Sequence, residues 1–390
     1  MEAMDGFTYI SNRVKEFYPD QQEQHYASIL SYRLGGKDPL DGIGVWKSEK
    51  GCPHWIYVTY GFTDLYDEED DDFIDEDDSR DNDDFNDEEG LRDNDEDNYE
   101  DNDEFNDDYN NSEDFDDDCS GYGFELTFRL KRSAEDNDTP PVWPMNMLQN
   151  LARYVFSTGN VFASGHHLNG NGPLALDTNT QLTCLGFITD PEFGTIETVN
   201  GSMVFLEAVA ITHDEMDAMM CWSGENFLNE LCRQIPYGIA DLSRTTLMCQ
   251  PDFRSAWEQG VARDGSSTSL IYLSEAQATL KGNIGSLILG AGHIVQVVTL
   301  IKARLDKDRK FLLQNGDTLI GFESSKEAKL YMDMDNGVFV IAMTKDALNE
   351  FCHLLKPHIG IYTMTTMPLT IEVIPTNIRD SEGNIVETIE

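Results

Sequence analysis

Residues 124–130 read FELTFRL, a strict alternation of large apolar and polar side chains. Successive side chains of a β-strand point to opposite faces of the sheet, so a period of two predicts a strand. Strict alternation is typical of a sheet with one face against a core and the other in water. We therefore expect a half-buried strand in which Glu125, Thr127 and Arg129 form the solvated face.

A second strand is predicted upstream, where residues 55–60 read WIYVTY and are all aromatic or β-branched. A long acidic segment, residues 67–118, separates the two predicted strands. Because both neighbours of the segment are strand-like, we interpret it as an enlarged loop inserted into a β-meander.

The acidic segment consists almost wholly of Asp, Glu and Asn, with 31 Asp or Glu residues against two Arg. Such a composition cannot bury enough apolar surface to offset its ordering entropy and charge repulsion, so we predict disorder. Two alternatives stay open. Asp93, Asp95, Asp97 and Glu104 match four ligand positions of an EF-hand calcium loop, although Asn98 stands in place of its glycine. The segment can also act as a polyanion that occupies a basic partner.

The whole chain has 390 residues and a formal net charge of -46. This charge repels nucleic acid and anionic membranes and favours basic partners. The longest apolar run, residues 286–301, is interrupted by polar residues and is shorter than the roughly 18–20 residues that a spanning helix needs. We therefore expect a protein partner, and neither nucleic acid nor a membrane.

Seven cysteines are scattered along the chain, and they form no Cys-x-x-Cys motif. An odd, scattered set is typical of reduced thiols. The opening residues, MEAMDG, lack the basic and apolar regions of a secretory signal. We therefore expect a cytoplasmic location, while the oligomeric state stays open.

The pattern of elements predicts an α+β fold with two mixed lobes and mainly antiparallel sheets. The strongest boundary signal is DGSSTS at residues 264–269, which is small and polar. The predicted units are an N-terminal domain at 1–263 interrupted by an acidic insert at 67–119, a linker at 264–272, a smaller α+β domain at 273–378 and a polar tail at 379–390.

Other local patterns complete the expected order of elements. Predicted helices are two short ones within 7–34 that Pro19 separates, then 145–156, 213–229 and 345–355. Predicted strands are 161–163, 182–189, 202–211, 286–301, 310–313, 337–341 and 369–373.

No common catalytic motif is present, because the chain lacks a G-x-S-x-G elbow, a phosphate-binding P-loop and an H-E-x-x-H helix. His166 and His167 form an adjacent pair, but neighbours on a strand point to opposite faces and no acidic or cysteine partner stands nearby. We predict no catalytic residue, no metal and no cofactor. The alternative of another class is an unrecognised hydrolase or metal enzyme built around this pair.

Seven blocks of sequence, in order, resemble the Suppressor-of-fused family, and more closely its bacterial-type members. The similarity weakens towards residue 264, and the long C-terminal insert of the animal protein has no counterpart here. The matching blocks are residues 18–20, 34–41, 54–66, 121–132, 140–144, 151–156 and 164–167.

The resemblance implies two α+β lobes that close on an extended peptide, which adds between them as a β-strand. It implies that Tyr154 lines the cleft beside the region from Val161 and Phe162 to His166 and His167. The alternative for Tyr154 is a helix aromatic buried in the core.

The animal ligand is a zinc-finger transcription factor, which the family member sequesters. His166 stands where the animal protein has an acidic residue that contacts this ligand, so the resemblance implies a different partner here. We predict a non-catalytic protein that sequesters or neutralises a partner, either basic or presenting an extended strand. Some bacterial-type relatives are immunity proteins, and neutralisation of a toxin such as a nuclease is the alternative within this class.

Overall fold

The computed structural model of the chain describes residues 5–30, 32, 35–66, 119–132, 138–176, 178–379 and 385–390. The acidic segment 67–118 lies outside the described residues, and so do its predicted disorder and its EF-hand match. The helices are α1 Gly6–Phe17, α2 Trp143–Thr158, α3 His213–Met220, α4 Gly224–Gln234, α5 Pro251–Asp264, α6 Ile294–Leu305 and α7 Lys345–Leu354.

The strands of the first half belong to one eight-stranded sheet. They are β1 Gln24–Ala27, β2 Gly42–Ser48, β3 His54–Tyr60, β4 Cys119–Lys131, β5 His167–Asn169, β6 Leu182–Thr189, β7 Thr195–Thr198 and β8 Gly201–Thr212. Their order is β1-β2-β3-β4-β8-β6-β5, and β7 pairs with β8 outside this path. Neighbours are antiparallel except β4 and β8, which run parallel.

The second half holds a five-stranded sheet, a four-stranded sheet and a terminal hairpin. Its strands are β9 Leu270–Tyr272, β10 Ala276–Lys281, β11 Ile284–Gly290, β12 Phe311–Asn315, β13 Thr318–Ser324, β14 Lys329–Asp333, β15 Val338–Met343, β16 Gly360–Thr363, β17 Leu369–Ile374, β18 Thr376–Arg379 and β19 Ile385–Ile389. The sheets have the orders β14-β15-β13-β12-β9 and β10-β11-β17-β16. Parallel pairs are the minority, so the predicted α+β class with mainly antiparallel sheets is confirmed.

Strand β4 differs from its prediction, because both of its faces are buried. Its apolar residues pack with α2 in one core, while α1 contributes to a second core on the same sheet. Glu125, Thr127 and Arg129 are therefore fully buried rather than solvated. The half-buried strand was the wrong interpretation, since alternation reports two chemically different faces and not which face meets water.

Several other elements also differ from the local predictions. The second helix after Pro19 is instead strand β1, and residues 161–163 form no strand. The predicted helix 213–229 is divided into α3 and α4, because Ser223 accepts a hydrogen bond from the amide of Asn226 and starts a new helix. The run 286–301 contains the end of β11 and the start of α6.

The domain boundaries stay a prediction, although two of the predicted connecting segments contain regular structure. Asp264 ends α5 and β9 begins at Leu270, both inside the predicted linker. Strand β19 lies inside the predicted polar tail and pairs with β18. No helix within the described ranges is long and apolar enough to cross a bilayer.

Candidate partner-binding cleft

A cavity of about 800 Å³ lies between the first sheet and the second half of the chain. Its walls come from residues 161–168 and 223–225 on one side, and from residues 267–270 on the other. We call this cavity the cleft. All five residues that the sequence predicted for partner binding line it, namely Tyr154, Val161, Phe162, His166 and His167.

The cleft is bordered by the edge strands of two different sheets. Strand β5 ends the order of the eight-stranded sheet, and β9 ends that of the five-stranded sheet. His167 and Leu168 of β5, and Leu270 of β9, line the cavity. An edge strand has backbone N–H and C=O groups without a neighbouring strand, so both borders can accept an added strand.

An aromatic wall supports the first side of the cleft. The ring of Tyr154 stacks on Phe162 at 5.8 Å, and Phe162 stacks on Phe187 at 4.2 Å. Tyr154 is 38% exposed, so it is not the core aromatic of the alternative prediction. Its hydroxyl accepts a hydrogen bond from Asn160 Nδ2 at 3.2 Å. The wall therefore offers an apolar ring face beside a polar group.

The pKa values of the two histidines are shifted towards the neutral form. Burial lowers the pKa of His166, and burial together with the neighbouring His166 lowers the pKa of His167 to about 4. His166 Nδ1 accepts a hydrogen bond from the amide of Ala163 at 3.2 Å. The ranges that the structure describes contain no group of three or more His, Cys, Asp or Glu side chains placed to bind a metal ion. The alternative of a hydrolase or metal enzyme gains no support from these residues.

Close backbone contacts join the two walls at one end of the cleft. Ser267 donates to the carbonyl of Trp222 from its amide at 3.0 Å, and its Oγ accepts from the amide of Gly224 at 3.2 Å. A Cβ on Gly224 would lie 2.2 Å from the carbonyl oxygen of Gly165, so only glycine fits there. Within the first wall, this contact therefore positions residues 161–166, the His166 loop, against the start of α4.

Two arginines in the cleft were not predicted from the sequence. Arg304 Nη1 and Arg309 Nη1 donate to the carbonyl of Ser266 at 3.2 and 3.1 Å. Glu225 is the carboxylate that lines the same cavity. No local sequence pattern indicates a role for these arginines in the cleft, because their contact there is with Ser266, about 40 positions earlier in the chain. They make part of its lining cationic, in contrast to the strong negative charge of the chain.

The fold and the cleft together define an α+β protein in which two sheet edges border one cavity. A family model described as Suppressor of fused protein matches residues 105–245. The human Suppressor of fused homolog is 30% identical over 278 residues, which cover 68% of this chain and 49% of the human protein. This chain thus spans about half the length of the curated relatives that it matches.

Solved structures agree with the sequence matches. The crystal structure of Drosophila Suppressor of Fused has a TM-score of 0.69 at 19% identity, and covers 95% of this chain and 97% of that one. A chain of the Sufu–Fu complex has a TM-score of 0.50 at 26% identity, with coverages of 65% and 96%. The chain belongs to the Suppressor of fused family. Its closer similarity to bacterial-type members stays a prediction.

Proposed function

We propose that this protein binds a partner protein without catalysis, by taking up an extended segment of the partner in the cleft. The observation that carries the proposal is the pair of edge strands, β5 and β9, that border one cavity of about 800 Å³. A segment that pairs with either edge gains main-chain hydrogen bonds, and side-chain pockets then select its sequence.

The chemistry of the lining supports recognition rather than a reaction. The exposed ring of Tyr154 is held in place by stacking on Phe162. A partner side chain that contacts this ring therefore costs little further conformational entropy on the side of the cleft. The lowered pKa values of His166 and His167 favour their neutral forms, which suit contact with backbone or uncharged groups. A family relative is crystallised in the Sufu–Fu complex, and this supports a partner-binding role for the present chain.

Binding in the cleft would also limit what the partner can do. A segment held between two sheets is withheld from other contacts, which would sequester or neutralise the partner in the cytoplasm. The net charge of -46 supports a partner that is basic outside the bound segment. The arginines in the cleft favour an uncharged or acidic residue next to Arg309. Toxin neutralisation stays a prediction from the sequence resemblance.

The test compares capture of partners from the native host by three variants with capture by the unaltered chain. Tyr154→Ala removes the exposed cleft ring. Tyr26→Ala is its matched control, because Tyr26 is 37% exposed and lies in β1, at the other end of the same sheet. The third variant lacks residues 67–118.

We expect one partner to be lost with Tyr154→Ala and retained by the other two variants. A synthetic peptide scan of that partner should then yield a short segment that slows amide hydrogen exchange in β5 or β9. The proposal is wrong if capture follows the acidic segment, or if the bound segment protects neither edge strand.

A further inference from the structure

A second cavity, of about 700 Å³, lies between the sheet and helices α4 and α5. It shares no lining residue with the cleft. Its walls include the aromatic residues Trp222 and Tyr237, and Glu207 of β8 contributes to its floor. Neither the family comparisons nor the proposed function uses this cavity, which we call the floor-carboxylate cavity.

The buried charges beneath the cavity are unbalanced. Arg129 lies 2.7 Å from Asp190, 3.1 Å from Glu192 and 3.0 Å from Glu207. Lys50 Nζ lies 2.7 Å from Glu192 and is the second cation of the cluster. Three carboxylates therefore share two cations, so the described cluster lacks one positive charge when every group is ionised.

Glu207 is the least well compensated of the three carboxylates, because the other two accept additional hydrogen bonds. Asp190 accepts from the hydroxyl of Thr127 at 2.6 Å and from two backbone amides, and Glu192 accepts from Tyr18 at 2.5 Å. Within the described part of the chain, both oxygens of Glu207 are buried without a well-aligned hydrogen bond, and the ion pair of Oε1 with Arg129 Nη1 at 3.0 Å is the contact that remains. The one cation in contact with Glu207 is therefore shared with two other carboxylates, and this incomplete neutralisation is costly until a proton or a further cation compensates it.

Burial raises the pKa of Glu207 to about 8, despite the opposing effect of Arg129. This raised pKa favours the protonated carboxyl at neutral pH. Burial also raises the pKa of Cys232, another lining residue, to about 12, so its thiol stays neutral. Arg233 and Arg263, which also line the cavity, lie 2.5 Å from Glu230 and 2.7 Å from Asp264, and are paired.

The turn that contains Tyr237 and Gly238 lies in close contact with the carboxylate of Glu207. Gly238 has a φ of 58°, and a Cβ on it would lie 2.6 Å from Glu207 Oε1. Tyr237 also has a positive φ, 59°, which is uncommon for a residue other than glycine. Strained backbone of this kind clusters at ligand sites.

We propose that the floor-carboxylate cavity binds a compact organic cation, a guanidinium or alkylammonium group, with its charge next to Glu207 and its carbon chain against Trp222 and Tyr237. The apolar rings of Trp and Tyr suit contact with the carbon chain, and the cation supplies the missing positive charge of the cluster. The same chemistry is offered by a free small molecule and by an arginine side chain of a partner protein.

Binding of a cation replaces the proton on Glu207, so affinity depends on pH. The charged groups that face Glu207 are Arg129 of β4 and the carboxylates of Asp190 and Glu192 after β6. These groups keep their charge between pH 6 and 9, since Asp190 and Glu192 have a lowered pKa and Arg129 a raised one. Affinity should therefore rise with pH up to about 8 and then level off.

The experiment is calorimetric titration of the full chain with butylguanidinium and with butylurea, its neutral analogue of the same shape. We expect butylguanidinium to bind at least about tenfold more tightly at pH 8, and to release close to one proton at pH 7. Glu207→Gln should weaken butylguanidinium about tenfold and abolish proton release. Asn229→Lys, at an exposed lining position, should also weaken it without touching the buried cluster.

A second arm distinguishes the two sources of the cation. It compares a short peptide that contains arginine with the same peptide carrying neutral citrulline. Tighter binding of the arginine peptide than of butylguanidinium supports a protein partner, and the reverse order supports a free small molecule. Equal affinity for butylguanidinium and butylurea, no binding of either cation at pH 8, or affinities unchanged by both variants would overturn the proposal.

Discussion

Arg129 donates from both terminal nitrogens to the two carboxylate oxygens of Asp190, at 2.7 and 3.2 Å, where neither side chain is exposed. Arg129 lies on β4, while Asp190 follows β6, two strands away in the sheet. A bidentate pair of this kind is directional and strengthened by charge, so it fixes the loop after β6 against the centre of the sheet.

Replacement of Arg129 by Met should destabilise the fold strongly, because it leaves three buried carboxylates without their shared cation. We expect a loss of more than about 3 kcal/mol in the free energy of unfolding, measured by urea denaturation. The control is Arg153→Ala, since Arg153 and Asp38 form a half-exposed surface pair. The control should cost less than about 1 kcal/mol. Equal effects of the two variants would contradict a structural role for the buried cluster.

Glu207 should make stability depend on pH in a defined direction. Its folded pKa, about 8, lies above the ordinary value of 4.5, so the unfolded chain ionises first as pH rises. This group therefore lowers stability progressively between pH 4.5 and 8, and its effect is constant above that range.

Glu207→Gln removes this contribution. The stability of the variant relative to the unaltered chain should increase by about 4 kcal/mol from pH 5 to pH 8.5, if the folded pKa of Glu207 is about 8 and its unfolded pKa is 4.5. Urea denaturation at four pH values measures the difference. A difference that is flat across this range would show that Glu207 is already ionised in the folded chain at pH 5.

Gly224→Ala should disturb the end of the cleft, because the new Cβ meets the carbonyl oxygen of Gly165 at 2.2 Å. We expect a loss of about 1–3 kcal/mol from overpacking, together with altered hydrogen exchange in the His166 loop. Gly172→Ala is the matched control, since no atom lies within 4 Å of its added Cβ. If both variants unfold at the same urea concentration, the wall formed by residues 161–168 and 223–225 does not depend on the contact between Gly224 and Gly165.

Deletion of residues 67–118 should leave the fold intact, because the described ends of this segment already lie together. Gly121 donates its amide to Asp64 Oδ2 at 3.0 Å, and Tyr122 donates its amide to the carbonyl of Phe62 at 2.8 Å. A linker of about four residues can therefore join Tyr66 to Cys119.

The shortened chain should unfold cooperatively. Its free energy of unfolding should equal that of the full chain or exceed it by up to about 2 kcal/mol, because the entropic cost of closing a loop decreases slowly as the loop is shortened. Circular dichroism with urea measures this. Loss of the cooperative transition would place the acidic segment inside the folding unit.

Local sequence was enough for elements whose pattern is set by near neighbours. The predicted strand 182–189 coincides with β6, and helix α7 ends one residue before its predicted end. The five candidate cleft residues were placed by family resemblance, and the structure brings all of them to one cavity. Their role in binding stays a prediction.

Local sequence could not predict which face of a strand is covered by other elements, because this is decided by long-range packing. The alternation at 124–130 is a local property, yet the second core against the sheet turns the expected wet face into a buried charge cluster. Likewise, β1 pairs with β2 although its local pattern favoured a helix.

The chain's own composition and periodicity defined the fold class and most of its elements, because helices and strands reflect spacing between neighbouring side chains. The contacts of Arg129 with Asp190, Glu192 and Glu207, and the meeting of β5 with β9 at one cleft, join residues about 60 to 100 positions apart. Their burial and their charge balance arise only when the sheet order brings them together, since both depend on distance in space and not on separation along the chain.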